Sequence, residues 1–466
     1  MAEKQLAQLM SKIWESEHAL RVLYREAASL EKLFHSSEPT HAHISVLPVE
    51  VLGMIFKEVV AQSGTCTPSP VEFNKPEWPV IRPELAISHV SKDWRAVSTG
   101  IPSFWTHICL YIKQSVDLVD MYLTRSQGLP LFISFRQHVV CGLHPRQAYA
   151  ADYPRITTTI LNHIHICRRL EIRTNVPVPE LLDGLACSRA PLLEEIVLHH
   201  PGTTMRQPTF SSSSFPMLTH LELGELISIS TTMPLKNLTS LVLAGLPAFG
   251  LPPTTFLDIL SGLPSLSSLA LVDEVVDFHR SNTPNVVEMP SLRTLKLKPG
   301  PDMSRIYLMG LVEMIVAPNV QELVLDFSNL SSLREIQLFL RHLKREPPKF
   351  LSLYHITINS PFDGFDIANT FVHAAPNIEH LSLSRYSVDS VLMFLAHDAR
   401  REAFLKLRTL QFESPHFDWD VLALFLHRRK QLGRPLHGLS FKGFGGSTGE
   451  TLDGLFRNLL NAYLTV

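Results

Sequence analysis

The feature that most constrains this chain is a triplet of aliphatic residues, spaced apolar-x-x-apolar-x-apolar, that recurs along most of its length. It occurs as Leu193-Ile196-Leu198, Leu218-Leu221-Leu223, Leu238-Leu241-Leu243, Leu266-Leu269-Leu271 and Leu292-Leu295-Leu297. It continues as Val320-Leu323-Leu325, Leu353-Ile356-Ile358, Ile378-Leu381-Leu383, Leu407-Leu410-Phe412 and Leu436-Leu439-Phe441, and Cys167-Leu170-Ile172 precedes them all. The ten steps from Cys167 to Leu436 average about 27 residues. The last two apolar positions of each triplet are two residues apart, the period of a strand with one buried face. Helical patterns lie between triplets, at Thr255 to Leu263, Arg305 to Ile315, Leu333 to Lys344, Ser390 to Phe404 and Trp419 to Gln431. A proline stands just ahead of many strands (Pro191, Pro216, Pro264, Pro290, Pro318 and Pro376), where it ends a helix without removing a ladder donor. A strand and a helix per repeat predict an α/β solenoid with parallel strands over residues 109–466.

This region resembles the leucine-rich repeats, with uneven repeat lengths and without the Asn that often follows the strand in that family. In such a solenoid the aliphatic positions point inward and the alternating residues line a concave face. The residues read there as target-binding are Arg169, Glu171 and Arg173, then Glu195 and His199, then His220. Val242 follows in a small, apolar middle with Ser240, Ala244, Ser268, Ala270 and Val272, and then come Lys296, Lys298, Asp326, His355 and Asn359. Together they suggest a protein-binding concavity with a smooth centre and charged flanks; most such residues in any repeat protein are simply tolerated surface.

Two shorter regions precede the array. In residues 2–35, Leu6, Ile13, Leu20, Ala27 and Phe34 recur every seventh position, with Leu9, Ser16, Leu23 and Leu30 between them. Two readings of this segment (1–36) stay open: one amphipathic helix folded back on the chain, or a short coiled coil that forms a homodimer. The segment 44–108 opens with Leu47-Pro48-Val49-Glu50-Val51-Leu52-Gly53-Met54-Ile55-Phe56. Pro48 suits a first helical turn and Glu50 complements the positive helix end. Val51, Leu52, Ile55, Phe56, Val59 and Val60 cover more than half of the helix circumference, so this helix must bury two faces. A Pro-rich loop follows, and then Ile87, Val90, Trp94 and Val97 at helical spacing, closed by Gly100, Pro102 and Ser103-Phe104-Trp105.

These landmarks, Leu47-Pro48, Ile55-Phe56, Val90-Ser91-Lys92-Asp93-Trp94-Arg95 and Pro102-Ser103-Phe104-Trp105, resemble the F-box domain in the form common in mushroom-forming fungi. The chain departs from that form at Val90-Ser91-Lys92, where Cys and Arg are frequent. The resemblance implies a three-helix module that binds a Skp-type adaptor, and through it a cullin scaffold, by Leu47, Pro48, Val51, Leu52, Ile55, Phe56, Val90 and Trp94. It implies a substrate receptor of a cullin-type (SCF) ubiquitin ligase with no enzyme activity of its own. A non-degradative F-box scaffold and a small-molecule-sensing receptor are the alternatives.

The composition fits such a protein. Charged residues make up only 18% against about 25% in typical domains, hydrophobic residues 45%, and the formal net charge is -2. Nothing in that balance attracts nucleic acid or an anionic membrane. Five scattered cysteines without a C-x-x-C pair suggest reduced thiols and a cytoplasmic or nuclear protein. No leader and no apolar run long enough for a membrane span is read in the sequence. His41/His43, His163/His165 and His199/His200 lack the spacing that puts two ligands on one helix face, and Gly443-Phe444-Gly445-Gly446 lacks a strand–loop–helix setting. No metal, cofactor or catalytic residue is therefore expected.

Overall fold

The structure is a computed structural model that describes residues 47–62, 82–110, 116–137, 153–174, 179–199, 210–224, 235–245, 250–280, 286–301, 303–330, 334–345, 350–361, 365–384, 389–397, 404–413 and 418–442. The heptad segment 2–35 and the Pro-rich loop lie outside these residues. The chain divides into two compact units between Phe104 and Trp105.

Among the described residues the first unit contains three helices, α1 (Val49–Gln62), α2 (Pro83–Val90) and α3 (Lys92–Thr99). Leu52, Phe56 and Ile87 form its core, and the Phe56 ring lies 4.7 Å from that of Trp94. The sequence pattern from Ile87 to Val97 predicts one helical face; the structure instead breaks it at Ser91. That residue is extended (φ -153°, ψ 172°), and its hydroxyl accepts a hydrogen bond from the Trp94 N–H, capping α3. A serine offers the backbone this local alternative to helix continuation, and here the cap wins. Arg95 Nε then donates to the Ser88 carbonyl at 2.9 Å and ties α3 to the end of α2. Pro102–Trp105 forms a short 3-10 turn.

Among the described residues the second unit is built on a sheet of thirteen parallel strands, hydrogen-bonded in chain order apart from two short strands that lie elsewhere. They are β1 (His107–Leu110), β2 (Leu131–Gln137), β3 (Cys167–Thr174), β4 (Glu195–His199), β5 (His220–Gly224), β6 (Ser240–Ala244) and β7 (Ser268–Val272). After β8 (Val287–Glu288) come β9 (Thr294–Lys298), β10 (Ile315–Val316), β11 (Glu322–Asp326), β12 (His355–Asn359), β13 (His380–Ser384), β14 (Thr409–Glu413) and β15 (Gly438–Lys442). The small strands β8 and β10 pair with each other instead. The last two positions of all eleven triplets fall on sheet strands, and the register aligns them: Leu221 faces Leu241, which faces Leu269 and then Leu295. The first triplet positions (Leu193, Leu238, Leu266, Leu292 and Leu353) are completely buried. Each such leucine stabilises by about 1.5–3 kcal/mol.

Two strands precede the first predicted repeat. Trp105, Ile108 and Leu110 reproduce the triplet with Trp in first position; that ring is fully buried, edge-on to Tyr122 and beneath the Arg125 guanidinium at 4.4 Å. The sheet therefore starts at His107, before the division expected after residue 108. In β2 a register shift between Leu131 and Phe132 breaks the spacing and hides the repeat from the sequence.

The helices of this unit are Val116–Arg125, Tyr153–His163, Pro179–Cys187, Pro253–Ser261, Tyr307–Met314, Arg334–Arg345, Phe365–Ala374, Asp389–His397 and Trp419–Gln431. Trp419–Gln431 matches its sequence pattern residue for residue; the helix expected over Ser390–Phe404 runs over Asp389–His397, and Phe404 lies in a turn. Four helices carry patterns too weak to single out: Val116–Arg125, Tyr153–His163, Pro179–Cys187 and Phe365–Ala374. A side-chain ladder holds successive repeats together ahead of the strands. Asn237 donates to the Pro216 carbonyl (2.7 Å), Ser291 to Pro264 (2.8 Å), Asn319 to Pro290 (2.9 Å) and Asn377 to Leu351 (2.8 Å). Each of these donors, three asparagine amides and one serine hydroxyl, lies three residues before its strand, so the ladder runs ahead of the strand rather than after it.

Candidate functional sites

On α1, residues 51, 55 and 59 form one stripe and 52, 56 and 60 the adjacent one, because four residues advance the helix by little more than one turn. The second stripe is internal: Leu52 and Phe56 (1% exposed) form the module's own core, with Val60 half-buried, so they offer no docking surface. Trp94 is half-buried against Phe56 and supports that core. The first stripe is open. Val51, Ile55 and Val59 are exposed, as are Leu47, Pro48 and Val90. Val49 (62% exposed) and Met54 (68% exposed) extend the patch, and no feature of an apolar helix read in sequence separates them from the rest.

The sheet offers a second surface. Along β5 to β12 the aliphatic rows are buried and the alternating rows half-buried or exposed, apart from the buried Gly224, as period two requires. At the β2–β5 end, however, the predicted target-binding charges are tied to one another. Glu171 is buried, and its Oε1 accepts from Arg136 Nη2 at 2.8 Å and Arg173 Nε at 2.7 Å. Arg169 lies 3.7 Å from the other oxygen of Glu171 and 3.4 Å from Glu195. Arg173 reaches on to Glu222 at 3.2 Å, and Glu222 also accepts from His199 Nε2 at 2.5 Å, with His220 at 4.0 Å. Burial alone would raise the Glu222 carboxyl; hydrogen bonds from His199 and His220 and the charges of His199 and Arg173 outweigh it and hold that carboxyl well below the usual range. Gly224 makes room for this arrangement, since a Cβ there would stand 2.3 Å from His199 Nδ1.

Glu171 is thus a buried structural charge, and Arg169, Arg173, Glu195, His199 and His220 are the arms of a network that consumes their charge internally. Arg136, the buried cation at its root, was missed because it lies on the unrecognised strand β2.

Beyond the network the face becomes small and apolar. Val242 is half-buried, flanked in register by Ala270. Lys296 is exposed, and Lys298 pairs with Asp326 at 3.4 Å. His355 stands 3.8 Å from Glu322 and 5.9 Å, ring to ring, from His380. Burial, followed by the His380 charge, depresses its pKa against the opposing pull of Glu322. Asn359 is half-buried, and its Oδ1 has no hydrogen-bond partner among the described residues. Cys167, inside the sheet, is unreactive: burial pushes its thiol up to about 12. Among the described residues no group of three His, Cys, Asp or Glu could hold a metal, and no helix is long and apolar enough to cross a membrane.

No family model and no curated protein matches the chain. Among solved structures it is similar to a protein from Bacteroides fragilis, at 11% identity over 71% of this chain and 73% of that one, with a TM-score of 0.30. It is also similar to an internalin from Listeria monocytogenes, at 13% identity over 77% of this chain and 93% of that one, with a TM-score of 0.29. Overlaps this low do not bear on function; the repeat architecture rests on the strand register itself.

Proposed function

We propose that this chain is a two-part adaptor, in which the helical unit docks on a Skp-type protein of a cullin-type ubiquitin ligase and the sheet face lined by the alternating residues holds a target. The observation that carries the reading is the open stripe on α1. A module that already buries Leu52, Phe56 and Ile87 still leaves Val49, Val51, Met54, Ile55 and Val59 in water. Covering such side chains yields about 1.5–3 kcal/mol each, enough for specific docking after association costs are met. The resemblance of residues 47–105 to the F-box supports the choice of partner. The chain would then supply proximity, holding a lysine of the target near activated ubiquitin while partner subunits perform the chemistry.

The test follows the division between the two stripes. Val51→Asp with Met54→Asp changes exposed positions, so folding should be unaffected to within about 0.5 kcal/mol. Co-purification with the Skp-type adaptor should fall at least about 100-fold, the loss of roughly 3 kcal/mol of apolar contact. Phe56→Ala is the contrasting variant: it empties the core and costs about 3–5 kcal/mol of module stability. Undiminished adaptor binding by the folded double variant defeats the docking reading.

A further inference from the structure

The sheet face lined by the alternating residues is close to neutral at its β2–β5 end because its arginines are bound to its own glutamates. Lys298 is likewise answered by Asp326. Lys296 differs. It occupies the middle of β9, is exposed where Thr294 and Lys298 are half-buried, and has no carboxylate partner among the described residues. Its neighbours in register are Ala270 on one side and Val324 on the other, and Val242 stands one strand beyond Ala270. This row of the sheet face is therefore small and apolar on either side of Lys296, with that ammonium unanswered within it.

Short side chains leave room for the backbone of a second chain, and an unanswered cation beside them selects a carboxylate by charge complementarity. A nucleic acid would demand several free cations along its phosphates, and among the described residues of β5 to β12 Lys296 is the one Lys or Arg on this face without a carboxylate partner. We propose that this row of the sheet face binds an extended peptide segment whose side-chain carboxylate pairs with Lys296 while an aliphatic residue lies over Val242 and Ala270. This inference rests on the reading of the sheet face as the target-binding surface and specifies the target's chemistry. Strands lie about 4.8 Å apart, so Lys296 and Val242 are separated by about 10 Å, or about three residues of extended peptide running across the sheet.

The full chain and its Lys296→Glu variant are each used to select from a bead library of short random peptides, acetylated and C-terminally amidated so that only side chains carry charge. The unaltered protein should enrich Asp or Glu about three residues from Val, Ile or Leu. The Lys296→Glu protein should retain the aliphatic preference but enrich Lys or Arg in place of the acid, and bind the original acidic peptides at least tenfold more weakly. Recovery without acidic preference, acidic preference that survives Lys296→Glu, or no peptide recovered at all overturns the proposal. So does preferential binding of a labelled single-stranded oligonucleotide that Lys296→Glu abolishes. Adaptor co-purification reads the other unit, so intact adaptor binding with no acidic selection removes this inference alone. Lost docking with intact acidic selection removes only the adaptor reading.

Discussion

Glu171 is the residue at which a binding role and a structural role make opposite predictions. Its side chain is 5% exposed and that of Arg136 7% exposed, with 2.8 Å between Nη2 and Oε1. Arg136 Nε already lacks a hydrogen-bond partner, so its guanidinium has little in reserve if the carboxylate is removed. Breaking a buried ion pair from one side costs about 3–5 kcal/mol, because the surviving charge stays buried and unanswered. Glu171→Ala should fall in that range, since Arg173 keeps Glu222 as a partner but Arg136 keeps nothing comparable. Arg136→Met with Glu171→Leu removes both charges and should lie within about 1 kcal/mol of the unaltered protein. Amide hydrogen exchange over Leu131–Gln137 and Cys167–Thr174 reads the local opening energy. At tenfold per 1.4 kcal/mol, the single variant should exchange roughly a hundred to three thousand times faster there. Protection unchanged in Glu171→Ala, or lost equally in the double variant, would refute the view that this network exists to neutralise itself.

Two further outcomes follow from the same surface and from the last helix. Gly224→Ala should displace the His199 ring and cost about 1–2 kcal/mol, with His199→Ala in the same background recovering most of it; thermal unfolding of the pair checks this. Because the folded Glu222 carboxyl titrates below its unfolded value, its stabilisation is present above about pH 4.5 and is lost as pH falls through the folded pKa. The stability gap between the unaltered chain and Glu222→Gln should therefore shrink in acid. Arg429, buried on the helix Trp419–Gln431, donates to the carbonyls of Leu407 (2.9 Å) and Arg434 (3.1 Å). Arg429→Ala strands both acceptors and should cost about 2–4 kcal/mol in urea unfolding, whereas a change below about 1 kcal/mol would show that water replaces the guanidinium.

The repeat array was legible in the sequence because its cause is local and recurrent. A strand with one dry face needs an apolar residue at every second position, and each turn of the solenoid restates that need, as from Leu221 to Leu241 to Leu269. The same logic placed the helix Trp419–Gln431, whose apolar positions are dense and whose Asp418 cap is explicit. It failed at Trp105-Ile108-Leu110, where Trp took the place of Leu, and at Leu131-Ile133-Phe135, where a shift in register altered the spacing.

The tertiary structure decided matters that no short window contains. On α1, eight apolar residues look alike in sequence, and only the packing of Ile87 and Trp94 chose Phe56 for the core and left Val51 in water. At Ser91 a hydroxyl cap on the Trp94 amide overrode a continuous helical pattern. On the sheet, Arg136 and Glu171 lie 35 residues apart and Arg173 and Glu222 lie 49 apart, so their charges meet only when parallel strands bring them side by side. Periodicity specifies which way a side chain points, but whether its charge is spent at home or offered to a partner depends on what the neighbouring repeats place beside it.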